Sequence, residues 1–347
     1  MQKLNEEEYL RKALKLWGID KDCIENRIKD RIGITPVEEL YKCYESEVSS
    51  DLVFNNEGKV DLEKMKFERS MIDVNNSSNS YGWIIFPNLS TGILKKGLES
   101  MERNNEIGKN SRYATLVSMM VARNLDIESA TYYLTTNKIN DKLKNELGYI
   151  YTPNFLKDGE ELISGLSISA NSDVMTELRG NVNGNDMKRM EKALTIYLNN
   201  RRFSQEEIED TRRNLIKQCI ISKILGNNDE ANRNWGIIIS KQRNVKLAPM
   251  YDFEYCLQDK YEVSRREING SEQLSEFVKY YSNKEWFDDW IHNRVLNLDM
   301  ENVYRGVLAI SKINVPDNYK EEFKGKIQQS INTIKNVYNK EIEQGER

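Results

Sequence analysis

From Ser204 to Gly226 the chain carries one apolar stripe at helical spacing, and it runs directly into two short β-rich runs. Ser204 and Glu207 form a capping box, and Ile208, Leu215 and Cys219, flanked by Ile216, Ile220 and Ile224, line a long helix that stops near Gly226. Behind it come NWGIIIS (234–240) and VKLAPMYDF (245–253), parted by the polar KQRN, which reads as a hairpin. A buried helix that delivers the chain into a hairpin excludes an all-α or an all-β fold. The spacing predicts an α+β chain.

The same periodicities divide the rest. Leu10, Leu14 and Trp17, then Val37, Leu40 and Tyr44, predict helices packed by one face, so residues 1–72 read as a helical N-terminal cap. The loop NNSSNS (75–80) opens a β-rich region, 73–153, with strands at YGWIIFPN, SATYYLTT (129–136) and LGYIYTPNF (147–155) and a helix from Ser111 to Leu125. DGE (158–160) is a turn, and residues 154–347 read as a mostly helical region that holds the hairpin. The stripe of Phe323, Ile327, Ile331, Ile334 and Tyr338, and the pair Trp286 and Trp290, read as packing faces rather than a cofactor groove.

Composition removes several function classes. The 347 residues carry 51 Lys plus Arg against 55 Asp plus Glu, a net charge of -4, so no overall basic field exists to hold a nucleic-acid backbone. No apolar run approaches the roughly 20 residues of a membrane span, and the N-terminal stretch has no signal-peptide core, which predicts a cytoplasmic protein. Cys23, Cys43, Cys219 and Cys256 lack CxxC spacing, and Cys219 and Cys256 sit in apolar runs as expected of buried thiols. His292 is the only histidine, which excludes histidine-based triads and metal clusters.

Three oxygen-bearing side chains then stand out around the hairpin. Asp229 lies in the loop after the long helix, Asn234 at the end of that loop, and Asp252 beyond the second β run. Together they offer hard oxygen ligands of the kind Mg²⁺ takes alongside nucleotide phosphates, with a carboxylate left to orient a hydroxyl nucleophile. The plainer alternative is that Asn and Asp are turn residues that end a helix and start a hairpin.

The segments GNNDEANRNWGIII and KLAPMYDFEYCL resemble the catalytic and metal-binding segments of the HipA-like serine/threonine protein kinases, with matches at Asn227, Asp229, Asn234, Gly236, Leu247, Ala248, Pro249, Tyr251 and Asp252. YIYTPNFLKDGEELIS is similar to that family's segment linking the two lobes. The resemblance covers about residues 148–258. It implies a bilobal protein-kinase-like fold with a small β-rich N-lobe and a larger helical C-lobe. It further implies ATP and Mg²⁺ as cofactors, Asp229 as the catalytic carboxylate, Asn234 and Asp252 as metal ligands, and adenine contacts near Asn154 and Phe155. A protein substrate, an antitoxin partner and a bacterial setting follow from the same resemblance.

The chain departs from that pattern at two places. Glu230 and Ala231 replace an Arg-His pair after Asp229, and the expected phosphate-binding lysine aligns with Ile85 or Phe86 in GWIIFP, with its glutamate partner near Thr115. Lys95, Lys96 or Lys109 could replace that charge from another element, but each reads first as a solvated surface lysine. Three readings follow: an ATP- and Mg²⁺-dependent kinase, a nucleotide-binding pseudokinase that regulates a partner, and a structural interaction protein.

Overall fold

The computed structural model describes residues 54–61, 64, 68–69, 80–85, 91–95, 110–136, 148–157, 159–179, 186–227, 234–258 and 270–345. Five strands, β1 (Glu68–Arg69), β2 (Ser80–Ile85), β3 (Thr91–Lys95), β4 (Tyr133–Leu134) and β5 (Ile150–Pro153), make one antiparallel sheet in the order β1-β2-β3-β5-β4. Helix α1 (Ser111–Asn124) lies between β3 and β4 in the chain. A second antiparallel sheet has β7 (Gly236–Ile239) between β6 (Glu161–Ser164) and β8 (Val245–Leu247).

Around these lie α2 (Gly165–Ser169), α3 (Ser172–Leu178), α4 (Met187–Asn200) and α5 (Gln205–Ile224). The chain continues through α6 (Gly270–Tyr281), α7 (Glu285–Trp290), a π turn at Ile291–Val295, α8 (Met300–Ser311) and α9 (Asp317–Gly345). The result is a mixed fold of two small antiparallel sheets among many helices. No helix among the described residues is long and apolar enough to cross a membrane.

The opening expectations hold here. Helix α5 begins on the Ser204–Glu207 capping box, with both reciprocal hydrogen bonds formed. The Glu207 carboxylate also accepts from the Val245 N–H at 3.2 Å, which ties the helix start to β8. The hairpin is covered on both faces because its strands alternate. Ile237, Val245 and Leu247 join a cluster with α4 and α5, while Ile238 and Ala248 pack with Leu162 beneath Phe155, Leu156 and Tyr251.

Three strands were not expected. β1 lies in the stretch read as helical, β6 adds a third strand to the hairpin, and β3 lies in the five-residue run TGILK. His292 is exposed and packs edge-on against Tyr338, and Cys219 is half-buried while Cys256 is buried.

The helical expectation for residues 1–72 falls mainly outside the described residues, and its end is β-structured instead. Phe54 and Val60 form an antiparallel bridge, Val60 bridges on to Thr135, and β1 joins the sheet. The cause is local turn chemistry: the Asn55 side chain accepts from the Glu57 and Lys59 N–H groups, and Gly58 takes a left-handed φ of 77°. That turn seats on the end of α8.

The main core joins both sides of the molecule. Apolar residues of α1 pack with α5, α6, α8 and α9, and Ile150 and Leu134 of the larger sheet belong to the same cluster. The Trp290 indole N–H donates to the Leu125 carbonyl at 2.9 Å, and the Ser311 hydroxyl to the Tyr132 carbonyl at 2.7 Å. These buried bonds fix the segment after α1, which matters below.

A Cβ at Gly58 would sit 1.9 Å from the Lys312 carbonyl oxygen, and the backbone there is left-handed. Gly58→Ala should therefore lower the unfolding free energy by about 2 kcal/mol or more, summing the left-handed cost and the displacement of α8's end. Urea unfolding of the two proteins checks this; equal stability would mean that the turn is not docked.

Candidate functional site

The burial of Lys95 organises this site. It ends β3, opposite Ile150, and the register of β2 against β3 slips between Ser80 and Gly82 beside it. Such irregularities re-aim side chains next to a sheet's end. Lys95 is 9% exposed, and a charge so far from water demands partners. It has two: the ammonium lies 2.8 Å from Asp252 Oδ1 and 3.0 Å from Glu254 Oε1.

Both carboxylates come from the segment after β8, DFE (252–254), and neither comes from α1. The sequence of α1, SRYATLVSMMVARN, holds no acidic residue, and Thr115 is buried with its hydroxyl donating to the Ser111 carbonyl. The carboxylate partners of Lys95 thus come from the DFE segment. Burial alone would lower the Lys95 pKa, but the charges of Asp252 and Glu254 outweigh it and hold the ammonium well above its ordinary value.

Asp252 is itself fixed by backbone. Its φ of 67° is left-handed, and its N–H donates to the Tyr132 hydroxyl at 2.9 Å. Two more bonds clamp the same stretch, from the Met250 N–H to the Glu128 carbonyl and from the Ala130 N–H to the Met250 carbonyl. Burial pushes the Tyr132 and Tyr251 hydroxyls far above the usual phenol range, so both stay protonated. Further on, the Leu257 N–H bonds the Leu225 carbonyl at 2.7 Å, which sets the DFE segment beside the end of α5.

Of the other expected residues, the structure describes Phe155, Asn154 and Asn234. Phe155 stacks on Tyr251, centroids 5.9 Å apart and planes 23° off parallel, above the apolar patch of Leu162, Ile238 and Ala248. Asn154 caps the same bend, its side chain accepting from the Leu156 N–H at 3.0 Å. Asn234 precedes Trp235, whose carbonyl accepts from the Gly165 N–H at 2.7 Å. It stands at the open end of the β7–β8 hairpin, the end from which the chain continues to Asp252.

Asp229 lies outside the described residues, between Asn227 and Asn234. No group of three or more His, Cys, Asp or Glu side chains able to hold a metal gathers among the described residues. An Asn234 and Asp252 pair would therefore need water and phosphate oxygens to complete a Mg²⁺ shell, which is this ion's usual habit.

Two corrections concern the lysine. Lys95 is not a solvated surface residue, and the strand that ends in the buried lysine is β3 rather than GWIIFP, whose Ile85 ends the neighbouring β2. Phe86, Lys96 and Lys109 lie outside the described residues. Glu254 was missed because its role depends on a lysine far back in the chain; Lys95 and Asp252 are 157 residues apart. The available signal was a glutamate two residues after the matched aspartate.

Neither a family model nor a curated protein sequence matches the chain. Among solved structures, the Helicobacter pylori proinflammatory kinase CtkA is similar over 76% of this chain and 94% of its own, with a TM-score of 0.52 and 15% identity. HipA of Shewanella oneidensis MR-1, solved with HipB and operator DNA, aligns over 71% of this chain and 58% of its own, with a TM-score of 0.38 and 10% identity. The likeness to CtkA shows that the chain has a kinase-like fold.

Lys95→Met should destabilise the protein by about 3 kcal/mol at pH 7, because the buried Glu254 and the half-buried Asp252 are left without their cation. Adding Glu254→Gln should return part of that loss. Because the folded Lys95 pKa is raised, its stabilisation is complete below the unfolded value of about 10.4 and fades as pH climbs toward the folded value. Urea unfolding between pH about 10 and 12 should therefore fall more steeply for the wild type than for Lys95→Met; parallel curves would mean that the triad does not form.

Proposed function

We propose that the chain is an ATP- and Mg²⁺-dependent kinase that phosphorylates a Ser or Thr on a protein and acts in the cytoplasm. The carrying observation is the buried Lys95 held between Asp252 and Glu254. Phosphoryl transfer is mostly positioning and charge neutralisation, and it uses a lysine ion-paired to a glutamate together with carboxylate and amide ligands for the metal. The residues here fit that donor set. Lys95 would meet phosphate oxygens, Asp252 and Asn234 would hold Mg²⁺, and Glu254 would keep the ammonium aligned when Asp252 turns to the metal. Bound there, Mg²⁺ supplies neutralising charge between phosphate oxygens.

The remaining roles follow from position. The Phe155–Tyr251 stack over Leu162, Ile238 and Ala248 offers an apolar surface for an adenine ring near the backbone of Asn154 and Phe155. Asp229, in the loop that joins α5 to β7, would hold the acceptor hydroxyl and take its proton. In this reading the molecule is bilobal, with the larger sheet in an N-lobe of residues 73–153, the hairpin in a C-lobe of residues 154–347, and a cap before residue 73. An antitoxin-type regulatory partner rests on the motif resemblance alone.

Glu230 and Ala231, where the motif has Arg-His, favour a second reading: a pseudokinase that binds nucleotide and regulates a partner without transferring phosphate.

ATP with Mg²⁺ at about 100 times its Kd should stabilise the protein by roughly 2.7 kcal/mol, seen as a thermal shift that is lost in Asp252→Asn. Asp229→Asn should keep that shift while losing transfer from radiolabelled ATP to itself or to lysate proteins, since an amide accepts no proton. Absence of any shift in the wild type rejects both nucleotide readings. A shift without label in either protein selects the pseudokinase, and equal label in both removes Asp229 from the chemistry.

A further inference from the structure

Away from Lys95, at the closed end of the β7–β8 hairpin, a cavity of about 210 Å³ lies between two turns. Its walls are Arg201, Arg202, Phe203 and Glu207 from the α4–α5 connection and Arg243 and Asn244 from the hairpin loop. Three arginines and one carboxylate thus line it. That carboxylate is already committed, accepting from the Ser204 N–H, the Ser204 hydroxyl and the Val245 N–H. The arginines are not neutralised by it, and no ion pair to Arg201, Arg202 or Arg243 occurs among the described residues.

The backbone beneath two of these arginines is unusual. Arg202 has φ of 61° and Arg243 has φ of 64°, a left-handed conformation that costs a branched or bulky side chain and suits Gly or Asn. Each sits at a closed turn, the Arg202 N–H donating to the Asn199 carbonyl and the Arg243 N–H to the Ser240 carbonyl, both at 2.9 Å. These are the helix-end and hairpin positions at which glycine is ordinarily favoured. Two arginines on separate turns thus line one cavity at positions where glycine would serve the turns better. The third is held in place, since the Arg201 guanidinium lies 3.6 Å above the Tyr197 ring centroid.

We infer that this cavity binds a phosphate monoester carried on a peptide, a phosphoserine or phosphothreonine side chain. Guanidinium groups match phosphate oxygens bidentately, and a cluster of them is the usual means of recognising a phosphorylated segment. The cavity is a single recess rather than a track, and the chain's net charge of -4 provides no wider basic field, which disfavours a nucleic-acid backbone. Phe203 offers an apolar wall for the methylene or methyl group that carries the phosphate. This site goes beyond the proposed kinase reaction and stands whether or not transfer occurs.

The test uses the whole chain and isothermal titration with three probes: inorganic phosphate, a short phosphoserine peptide and its unphosphorylated twin. The phosphopeptide should bind, the twin should not, and inorganic phosphate should bind more weakly. Arg202→Gly with Arg243→Gly should weaken the phosphopeptide by about tenfold or more, the worth of at least one charge-assisted hydrogen bond. Its melting temperature should hold or rise, because glycine relieves both left-handed positions. Equal binding of phosphopeptide and free phosphate overturns the peptide assignment. No binding by the wild type, unchanged binding in the double variant, or a lowered melting temperature in it overturns the site.

Discussion

A lysine ammonium removed from water must be matched by opposite charge, and at Lys95 the two carboxylates come from a segment that follows the second sheet. Solvating that cation by protein alone requires the β3 end, the segment after α1 and the DFE stretch to arrive together. Each is held by a different device: a strand register at Lys95, a hydroxyl acceptor at Tyr132, and a left-handed backbone at Asp252. The triad is therefore a meeting point of the two sheets rather than a property of either. Its geometry is only as good as the core beneath Tyr132, which Ser311 and Trp290 secure with buried bonds from the helical side.

The hairpin contributes through its two covered faces. One face leans on α4 and α5, which set its position against the long helix, and the other presents Ile238 and Ala248 to Phe155 and Tyr251. Because side chains alternate along a strand, a slip of one residue would exchange the faces and turn the patch under Phe155 toward the helices. Gly236 guards that register, since a Cβ there would meet the Ile163 carbonyl at 2.6 Å and force β6 from β7. The bond from the Glu207 carboxylate to Val245 gives the same protection from the helix cap.

Legibility from sequence followed the range of the interaction. Helix α5, its capping box, the hairpin and the position of α1 rest on neighbours within a few residues, and periodicity revealed them. Asp252 and Asn234 could be named from their places around the hairpin, and Asn154 and Phe155 only from the family resemblance. What stayed hidden was the partner of a single charge. TGILKKG offers two adjacent lysines and no local carboxylate, so nothing nearby says which one turns inward; the answer lies in a segment 157 residues away. The turn at residues 55–59 hid for the opposite reason, a local Asn–Gly signal overridden in the reading by a longer-range helical pattern.

One ammonium faces two carboxylates, so the cluster keeps one negative charge in excess within a poorly hydrated setting. Such an excess is costly when it stays uncompensated, and it is relieved by a further cation beside Asp252, the carboxylate that Lys95 can release while retaining Glu254. A lysine with one carboxylate would be satisfied and inert. With two, Lys95 can keep one ion pair while the second carboxylate changes partners, which is the condition that the proposed metal-dependent chemistry sets.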